Sequence, residues 1–248
     1  MALGETDFEL MGMSGNNVKI LLDGIPLIDR GATKQSLSQL DVNSIERVEI
    51  VEGPMSVVYG TDALAGVINI ITKKGDGYSE ENTWRVGARV QEESMGKEYD
   101  FFKDKGLHNE SIDLGFNHKS GLFVNGGYTR NNHGGWQGDL TGREKRWHPK
   151  DQALMNGMFG FQNRNMNVWY RLDFLDEKIF GPNNGSELQP EKVSDKDFLT
   201  KRYTHQLQSD WKLDNRLDVH AALSYQDYKR RTRTTESDLS TGEKWLSS

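Results

Sequence analysis

Four ring side chains lie within one polar stretch, NNHGGWQGDLTGREKRWHPKD, and they are the residues best suited to chemistry. They are His133, Trp136, Trp147 and His148. An imidazole is a common axial ligand of haem iron, and an aromatic face can attract a cationic ligand. The alternative is that the rings pack together and fold the loop onto itself. We keep His133 and Trp136 as ligand-binding candidates beside that structural alternative.

No other stretch offers the chemistry of an enzyme. The carboxylates of SELQPEKVSDKD lack the regular oxygen-ligand spacing of an EF-hand, so this stretch is predicted to be a solvated charge run. The sequence contains no Cys, and it has none of the serine-hydrolase, zinc-protease, P-loop or dinucleotide motifs. We therefore predict no catalytic residue, no metal, no cofactor and no enzyme activity.

Composition narrows the class of protein further. The 248 residues carry a net charge of −6, which argues against a nucleic-acid binder. Glycine is frequent and aromatic residues reach 10%, a mixture that favours β-structure. The chain begins without a secretory signal, and no run approaches the ~18 apolar residues of a membrane helix. Its abrupt first and last residues suggest a piece of a longer protein.

The elements that must position the ring-bearing loop are β-strands with a period of two. Alternation predicts seven strands, at about 84–94, 108–118, 121–131, 152–163, 165–177, 202–213 and 216–229. Short turns between them alternate with long polar links at about 95–107, 132–151 and 178–201. That rhythm is typical of an outer-membrane barrel, and a soluble antiparallel sandwich is the alternative.

The first part of the chain has a different texture, and we interpret it as a small α/β unit. Short apolar runs such as Val18–Leu22 and Val67–Ile71 are separated by turn residues such as Asp23-Gly24. Asp41 or Asn43 is expected to cap a short helical turn before Ile45. Pro54 fits the first position of another short helix that ends near Gly60.

The same part contains a specific series of motifs. They are Asp23-Gly24 after a strand, the strand Ile45–Glu49, the Gly-Pro-x-Ser-x-x-Tyr-Gly motif Gly53–Gly60, the small-residue step Ala63–Gly66, and Val67–Lys73. Together they resemble the plug domain of TonB-dependent outer-membrane receptors over roughly residues 12–74. The later strands stand where that family has its barrel.

The resemblance implies an α+β plug domain over residues 1–77, followed over 78–248 by about seven antiparallel β strands of a truncated outer-membrane β-barrel. The family's barrels have about twenty-two strands. It implies a Gram-negative outer-membrane receptor that takes up a siderophore, haem or cobalamin, driven by the TonB–ExbB–ExbD complex through a TonB box absent from this chain. A non-transporting binding or adhesion module is the alternative.

The resemblance also implies where a ligand touches the plug, namely its outward loops. The candidates are Arg30, Thr33, Ser56, Tyr59, Thr61 and Asp62. Each has an ordinary alternative role as a solvated or locally hydrogen-bonded loop residue. One departure concerns Glu52, because the family often has a basic residue before Gly-Pro that pairs with barrel glutamates. We therefore expect a different attachment of the plug to the wall.

Overall fold

The computed structural model describes residues 9–10, 13–14, 17–27, 37–54, 63–74, 81–186, 188–214 and 216–247. Its strands form a pair, a four-stranded sheet and an eight-stranded sheet. The strands are β1 (Glu9–Leu10), β2 (Met13–Ser14), β3 (Val18–Leu22), β4 (Ile25–Pro26), β5 (Ile45–Glu52), β6 (Gly66–Thr72), β7 (Thr83–Glu93), β8 (Leu107–Asn117), β9 (Leu122–His133), β10 (Lys150–Gln162), β11 (Met166–Gly181), β12 (Lys192–Lys212), β13 (Asp218–Asp238) and β14 (Lys244–Ser247).

The four-stranded sheet belongs to the first part of the chain and has the order β4-β3-β6-β5. Strand β6 lies between β3, which it pairs in parallel, and β5, which it pairs antiparallel. This central position suits its continuous apolar run Val67–Ile71. Leu21, Ala63 and Val67 form its buried core cluster.

The predicted turn after β3 is present. Asp23 and Gly24 both have positive φ, at 52° and 82°, which is the backbone conformation that favours glycine. The Asp23 carboxylate accepts hydrogen bonds from the backbone N–H and the hydroxyl of Thr72 at 3.1 and 2.7 Å. These bonds fasten the turn to the end of β6.

The helical elements of the first part are short. Leu37–Gln39 and Val42–Ser44 are single 3₁₀ turns. Asp41 caps the second turn, because its carboxylate accepts from the Asn43 backbone N–H at 3.0 Å. Residues 55–60 of the helix predicted from Pro54 to Gly60 lie outside the described residues. None of the described helices is both long and apolar enough to cross a membrane.

The eight-stranded sheet runs in chain order from β7 to β14, and every neighbouring pair is antiparallel. The prediction of seven strands was wrong by one, because the four-residue β14 is too short to show a period. Short turns at 118–121, 163–165 and 213–217 lie at one end of this sheet. The links 94–106, 134–149 and 182–191 lie at the other end, which we call the loop end.

The predicted long link over 178–201 was also wrong. Strand β11 continues to Gly181 and β12 begins at Lys192, so only residues 182–191 connect them. Strand β13 likewise continues to Asp238, which pairs with Lys192. The extension of β13 over 230–238 is polar on both faces. Those of β11 and β12 place apolar residues next to each other, as in Ile179-Phe180 and Phe198-Leu199, so no regular alternation marks them, while backbone hydrogen bonds continue the pairing.

The two faces of the sheet differ as the alternation predicts. On β11, Trp169, Arg171 and Leu175 are buried against the first part of the chain. We call this side the inner face. The alternate residues, such as Tyr170 and Leu172, point to the outer face and are partly exposed.

Register aligns the outer-face residues into rows that cross seven strands. One row is entirely apolar or aromatic and consists of Trp84, Phe116, Val124, Phe159, Tyr170, Leu207 and Leu223. We call this row and the row on each side of it, which are free of polar residues on the paired strands except at His205 and Ser209, the apolar band. Six residues nearer the loop end on each strand, another row contains Glu110, Arg130, Asp176, Lys201 and Lys229. These five residues form the charged belt.

Candidate functional site

A polar seam joins the first part of the chain to the inner face of β9–β12. Gln39 is only 2% exposed, and its amide donates to Glu177 Oε1 at 2.8 Å. Gln152 donates to Glu177 Oε2 at 2.8 Å and to the Ser38 carbonyl at 3.0 Å. The buried carboxylate of Glu177 is therefore satisfied by two amides from different segments.

Arg202 continues the seam on β12. Its guanidinium donates to the Gln39 carbonyl at 2.8 Å and to the Gln39 side-chain oxygen at 3.4 Å. Gln39 is thus held through its backbone as well as its amide. Because buried polar groups are costly when unpaired, these bonds fix the position of residues 37–39 against the eight-stranded sheet, which we call the wall.

Asp41 forms the second half of the seam. Its Oδ1 accepts from the Thr129 hydroxyl at 3.0 Å, and its Oδ2 accepts from the Asn156 amide at 3.1 Å. The same carboxylate caps the turn Val42–Ser44. One side chain therefore shapes the segment and attaches it to β9 and β10.

The four-stranded sheet also contacts the wall, through Asp23 after β3 and Lys74 after β6. Gln208 on β12 donates to the Asp23 carbonyl at 2.7 Å. The Lys74 ammonium lies 4.7 Å from the centroid of the buried Trp169 ring, a distance suited to a cation–π interaction. Together with the polar seam, these contacts fix the first part of the chain to the four neighbouring strands β9–β12.

Glu52 takes no part in this attachment. It is exposed at the end of β5, and within the described part of the chain it has no ion pair. The contacts of Gln39 and Asp41 hold the two parts together instead. The sequence contained a sign of the polar seam. Gln152 on β10, and Arg171 and Glu177 on β11, are polar residues at strand positions that face inward.

The ring residues lie together at the loop end. Trp136 and Trp147 exchange backbone hydrogen bonds of 2.9 and 3.0 Å, and their rings meet edge to face with centroids 5.6 Å apart. The His133 ring lies 6.0 Å from that of Trp147. These contacts agree with the alternative that the rings fold the loop onto itself, while a ligand role for His133 and Trp136 stays a prediction.

Both loop histidines are shielded from water. Burial lowers the pKa of His133, and the nearby charge of Lys150 lowers it further. Burial also lowers the pKa of His148, whose buried Nδ1 has no hydrogen-bond partner among the described residues. Burial therefore favours the neutral form of both imidazoles.

An ion pair that the sequence did not indicate anchors this loop. Arg143 contacts both carboxylate oxygens of Asp195 at 3.0 and 2.7 Å, and the Asn183 backbone N–H donates to the same carboxylate at 3.1 Å. Asp195 and Asp197 are nearly buried. The interpretation of this stretch as a solvated charge run was therefore wrong, because both carboxylates have cationic partners.

Close backbone approach brings a second loop to the rings. The Gly134 N–H donates to the Gly106 carbonyl at 2.9 Å. A Cβ atom on Gly134 would lie 1.7 Å from the Asp104 carbonyl oxygen, so only glycine fits there.

The six candidates Arg30, Thr33, Ser56, Tyr59, Thr61 and Asp62 lie outside the described residues. No cluster of metal-ligating side chains occurs among the residues that are described.

Known proteins resemble both parts of the chain. Residues 2–67 match the family model described as TonB-dependent Receptor Plug Domain. The iron-regulated outer membrane virulence protein of Vibrio cholerae serotype O1 is 40% identical over 80 residues, which cover 28% of this chain and 12% of that protein. The vitamin B12 transporter BtuB of Vibrio vulnificus is 40% identical over 79 residues, covering 32% of this chain and 13% of that protein.

A solved structure resembles almost the whole chain. The copper transporter OprC superposes with a TM-score of 0.57 and 12% sequence identity, over 94% of this chain and 41% of OprC. At this identity the likeness concerns the fold, and it confirms the predicted antiparallel wall strands. The chain spans about two fifths of that structure and aligns with a smaller share of the two Vibrio relatives.

Proposed function

We propose that this chain, which carries the plug sequence and wall strands of a TonB-dependent receptor, forms part of an outer-membrane transporter for a scarce nutrient. In this proposal residues 1–77 are the later part of an α+β plug domain. Residues 78–248 are the first strands of the β-barrel that surrounds it. The nutrient is of the siderophore, haem or cobalamin class.

The observation that carries the proposal is the opposite polarity of the two sheet faces. The inner face buries a polar seam against residues 37–44, and the outer face exposes a continuous apolar band. A lipid-facing wall around a plug needs both features, whereas a soluble sandwich would bury its apolar face. The similarity of residues 2–67 to the plug family supports the same assignment.

Energy for uptake comes, in this proposal, from the TonB–ExbB–ExbD complex acting on the plug. The hydrogen bonds of the polar seam decide which plug residues remain on the wall when force is applied. Ligand contact is assigned to the loop end, where His133 and Trp136 lie, and to the outward plug loops with Arg30, Thr33, Ser56, Tyr59, Thr61 and Asp62.

Uptake by cells that express the complete receptor tests this function. Cells with and without TonB are supplied with radiolabelled cobalamin, iron-labelled siderophores or haem. We expect accumulation of one probe only when TonB is present. Binding of a probe with no TonB-dependent accumulation would favour the non-transporting binding module, and recovery of the complete receptor from the cytosol would contradict both.

A further inference from the structure

The link 182–191 contains Asn184-Gly185, one of three Asn-Gly pairs in the chain. In such a pair the backbone nitrogen of glycine can attack the side-chain amide of asparagine, because no Cβ atom on the glycine obstructs the approach. The other two pairs, Asn125-Gly126 and Asn156-Gly157, lie within strands β9 and β10. The fold therefore places one sequence motif in two different surroundings.

The sheet protects the two pairs that lie in strands. Gly126 is opposite Leu114 on one side and Gly157 on the other, and Gly157 is also opposite Leu172. Both glycines therefore belong to strands that are paired on both sides. Interstrand hydrogen bonds occupy the N–H groups of such strands and keep the backbone extended. The glycine nitrogen is thus held away from the preceding side chain.

Gly185 has no such protection. It lies outside the strands, and its N–H donates no hydrogen bond to any residue in the described part of the chain. A Cβ atom at this position would lie 2.5 Å from the carbonyl oxygens of Gln189 and Pro190. Only glycine fits there, so the packing of the link requires the residue that leaves Asn184 open to attack.

The side chain of Asn184 is held by the neighbouring link 134–149. Its oxygen accepts from the backbone N–H of Arg143 at 2.7 Å, and its amide donates to the Thr141 carbonyl at 3.2 Å. Attack on the side-chain carbon moves negative charge onto that oxygen, and a donor already in place stabilises this charge. The Arg143 N–H therefore lowers the barrier to attack at Asn184.

We propose that Asn184 is a site of spontaneous deamidation. The Gly185 nitrogen forms a bond to the side-chain carbon of Asn184, the proton of that nitrogen passes to the departing amide nitrogen, and ammonia leaves to give a cyclic succinimide. One water molecule then opens the ring at either carbonyl, so that residue 184 becomes aspartate or isoaspartate. The reaction needs neither an oxidant nor an enzyme, and it does not depend on the proposed transport function.

Conversion of Asn184 weakens the contact between two links at the loop end. A carboxylate oxygen replaces the amide that donates to Thr141, so two acceptors then face each other. The fit is close, because a Cβ atom on Gly142 would lie 2.5 Å from the side-chain oxygen of Asn184. Arg143 keeps its two contacts with Asp195. The link 134–149 is therefore loosened locally and remains attached.

Peptide mass spectrometry of the complete receptor, incubated in detergent micelles at mildly alkaline pH, tests the proposal. The measured quantity is the rate at which each asparagine gains the mass of deamidation. We expect conversion at least ten-fold faster at Asn184 than at Asn125 and Asn156. Asn183, which is in the same tryptic peptide but precedes an asparagine, should stay intact. Equal rates at the three Asn-Gly pairs, or an intact Asn184, would overturn the proposal.

The same measurement on the receptor unfolded in denaturant separates the effect of the fold from that of the sequence. Unfolding releases the strands around Gly126 and Gly157, so their pairs should convert about as fast as Asn184-Gly185. A ten-fold difference that persisted in the unfolded chain would assign the rate at Asn184 to its sequence neighbours. That result would overturn the role given to the links and the sheet.

The variants Asn184→Asp and Asn183→Asp test the consequence for the loop end. Both add one negative charge to the link 182–191. Within the described part of the chain, Asn183 makes hydrogen bonds only through its backbone, to Arg143 and Asp195. We expect hydrogen exchange of residues 139–143 to be at least three-fold faster in Asn184→Asp and unchanged in Asn183→Asp. Equal exchange in the two variants would show that conversion does not weaken the contact between the links.

Discussion

The inner and outer faces of the wall strands follow opposite rules, although their residues alternate along the same backbone. Glu177 faces inward, is 2% exposed, and accepts hydrogen bonds from two amides. Asp176, its neighbour, faces outward and forms an exposed ion pair with Lys201. The buried polar residues of this sheet therefore have hydrogen-bond partners, while many of its large apolar residues, such as Leu207 and Leu223, are exposed. The proposed membrane location would explain the exposed apolar residues, because lipid, unlike water, does not favour polar side chains.

The largest expected effect comes from placing a charge in the middle of the apolar band. Leu207→Arg should destabilise the complete receptor in lipid by about 2–4 kcal/mol, since its partners on the two neighbouring strands, Tyr170 and Leu223, are apolar. Reversible unfolding in lipid bilayers measures the change. Leu188→Arg, in the exposed link 182–191, is the control with an expected cost near zero. Equal costs would contradict the difference between the faces.

Removal of a buried seam carboxylate should have the next largest effect. Glu177→Ala leaves the amides of Gln39 and Gln152 without this acceptor, at a cost of about 1–3 kcal/mol. Hydrogen exchange of residues 37–44 should become faster in the complete receptor. Asp176→Ala removes a neighbouring carboxylate from the outer face, where an exposed ion pair contributes at most about 1 kcal/mol. Unchanged exchange in Glu177→Ala would show that the seam is not held by this residue.

A smaller effect is expected at the cap. Asp41→Ala removes the cap of Val42–Ser44 and the acceptor for Thr129 and Asn156, and it should destabilise the segment by about 1 kcal/mol. Asp41→Asn keeps one acceptor oxygen and should retain most of the protection. Hydrogen exchange of residues 42–44 compares the two variants. Similar exchange in both would mean that the cap contributes little.

The smallest effect is a loosening of the ring-bearing loop in acid. Burial lowers the pKa of His148 and His133 below the ordinary value. The stability that comes from their neutral forms is therefore complete above about pH 6.5 and is lost as the pH falls through the lowered pKa. Hydrogen exchange of residues 134–149, corrected for its intrinsic pH dependence, should accelerate at pH 5.5. His148→Gln with His133→Gln should remove this pH dependence, and a persistent dependence would implicate other groups.

The alternation of apolar and polar residues predicted the strands whose two faces differ in polarity. It failed where the two faces have similar polarity. The strand around Tyr170 was evident because apolar and polar residues alternate there. The extensions of β12 and β13 were missed because their many charged residues, such as the opposed Lys192 and Asp238, leave no regular alternation of apolar and polar side chains. A strand pairing cannot be recognised from alternation when the two faces of the strands have the same polarity.

The candidate sites show a similar limit. Asp41 was predicted as a cap because that role is local, and the structure confirms it. Its contacts with Thr129 and Asn156 join residues about a hundred positions apart, so no local pattern contains them. The burial of Asp195 likewise depends on Arg143 from another loop. Charge runs look solvated in a sequence until their partners are known.

The long hairpin of β12 and β13 has a consequence for proteolysis. Residues 192–201 extend it about 30 Å along the strand beyond the charged belt. A protease binds an unpaired, extended backbone in its cleft. The backbone of this hairpin is held in interstrand hydrogen bonds and is therefore not accessible. Trypsin should therefore cut first after Arg146 in the link 134–149, although basic residues are denser around Arg231. In the proposed receptor, the end that stands farthest from the membrane would thus be, on β12 and β13, its part most resistant to proteolysis.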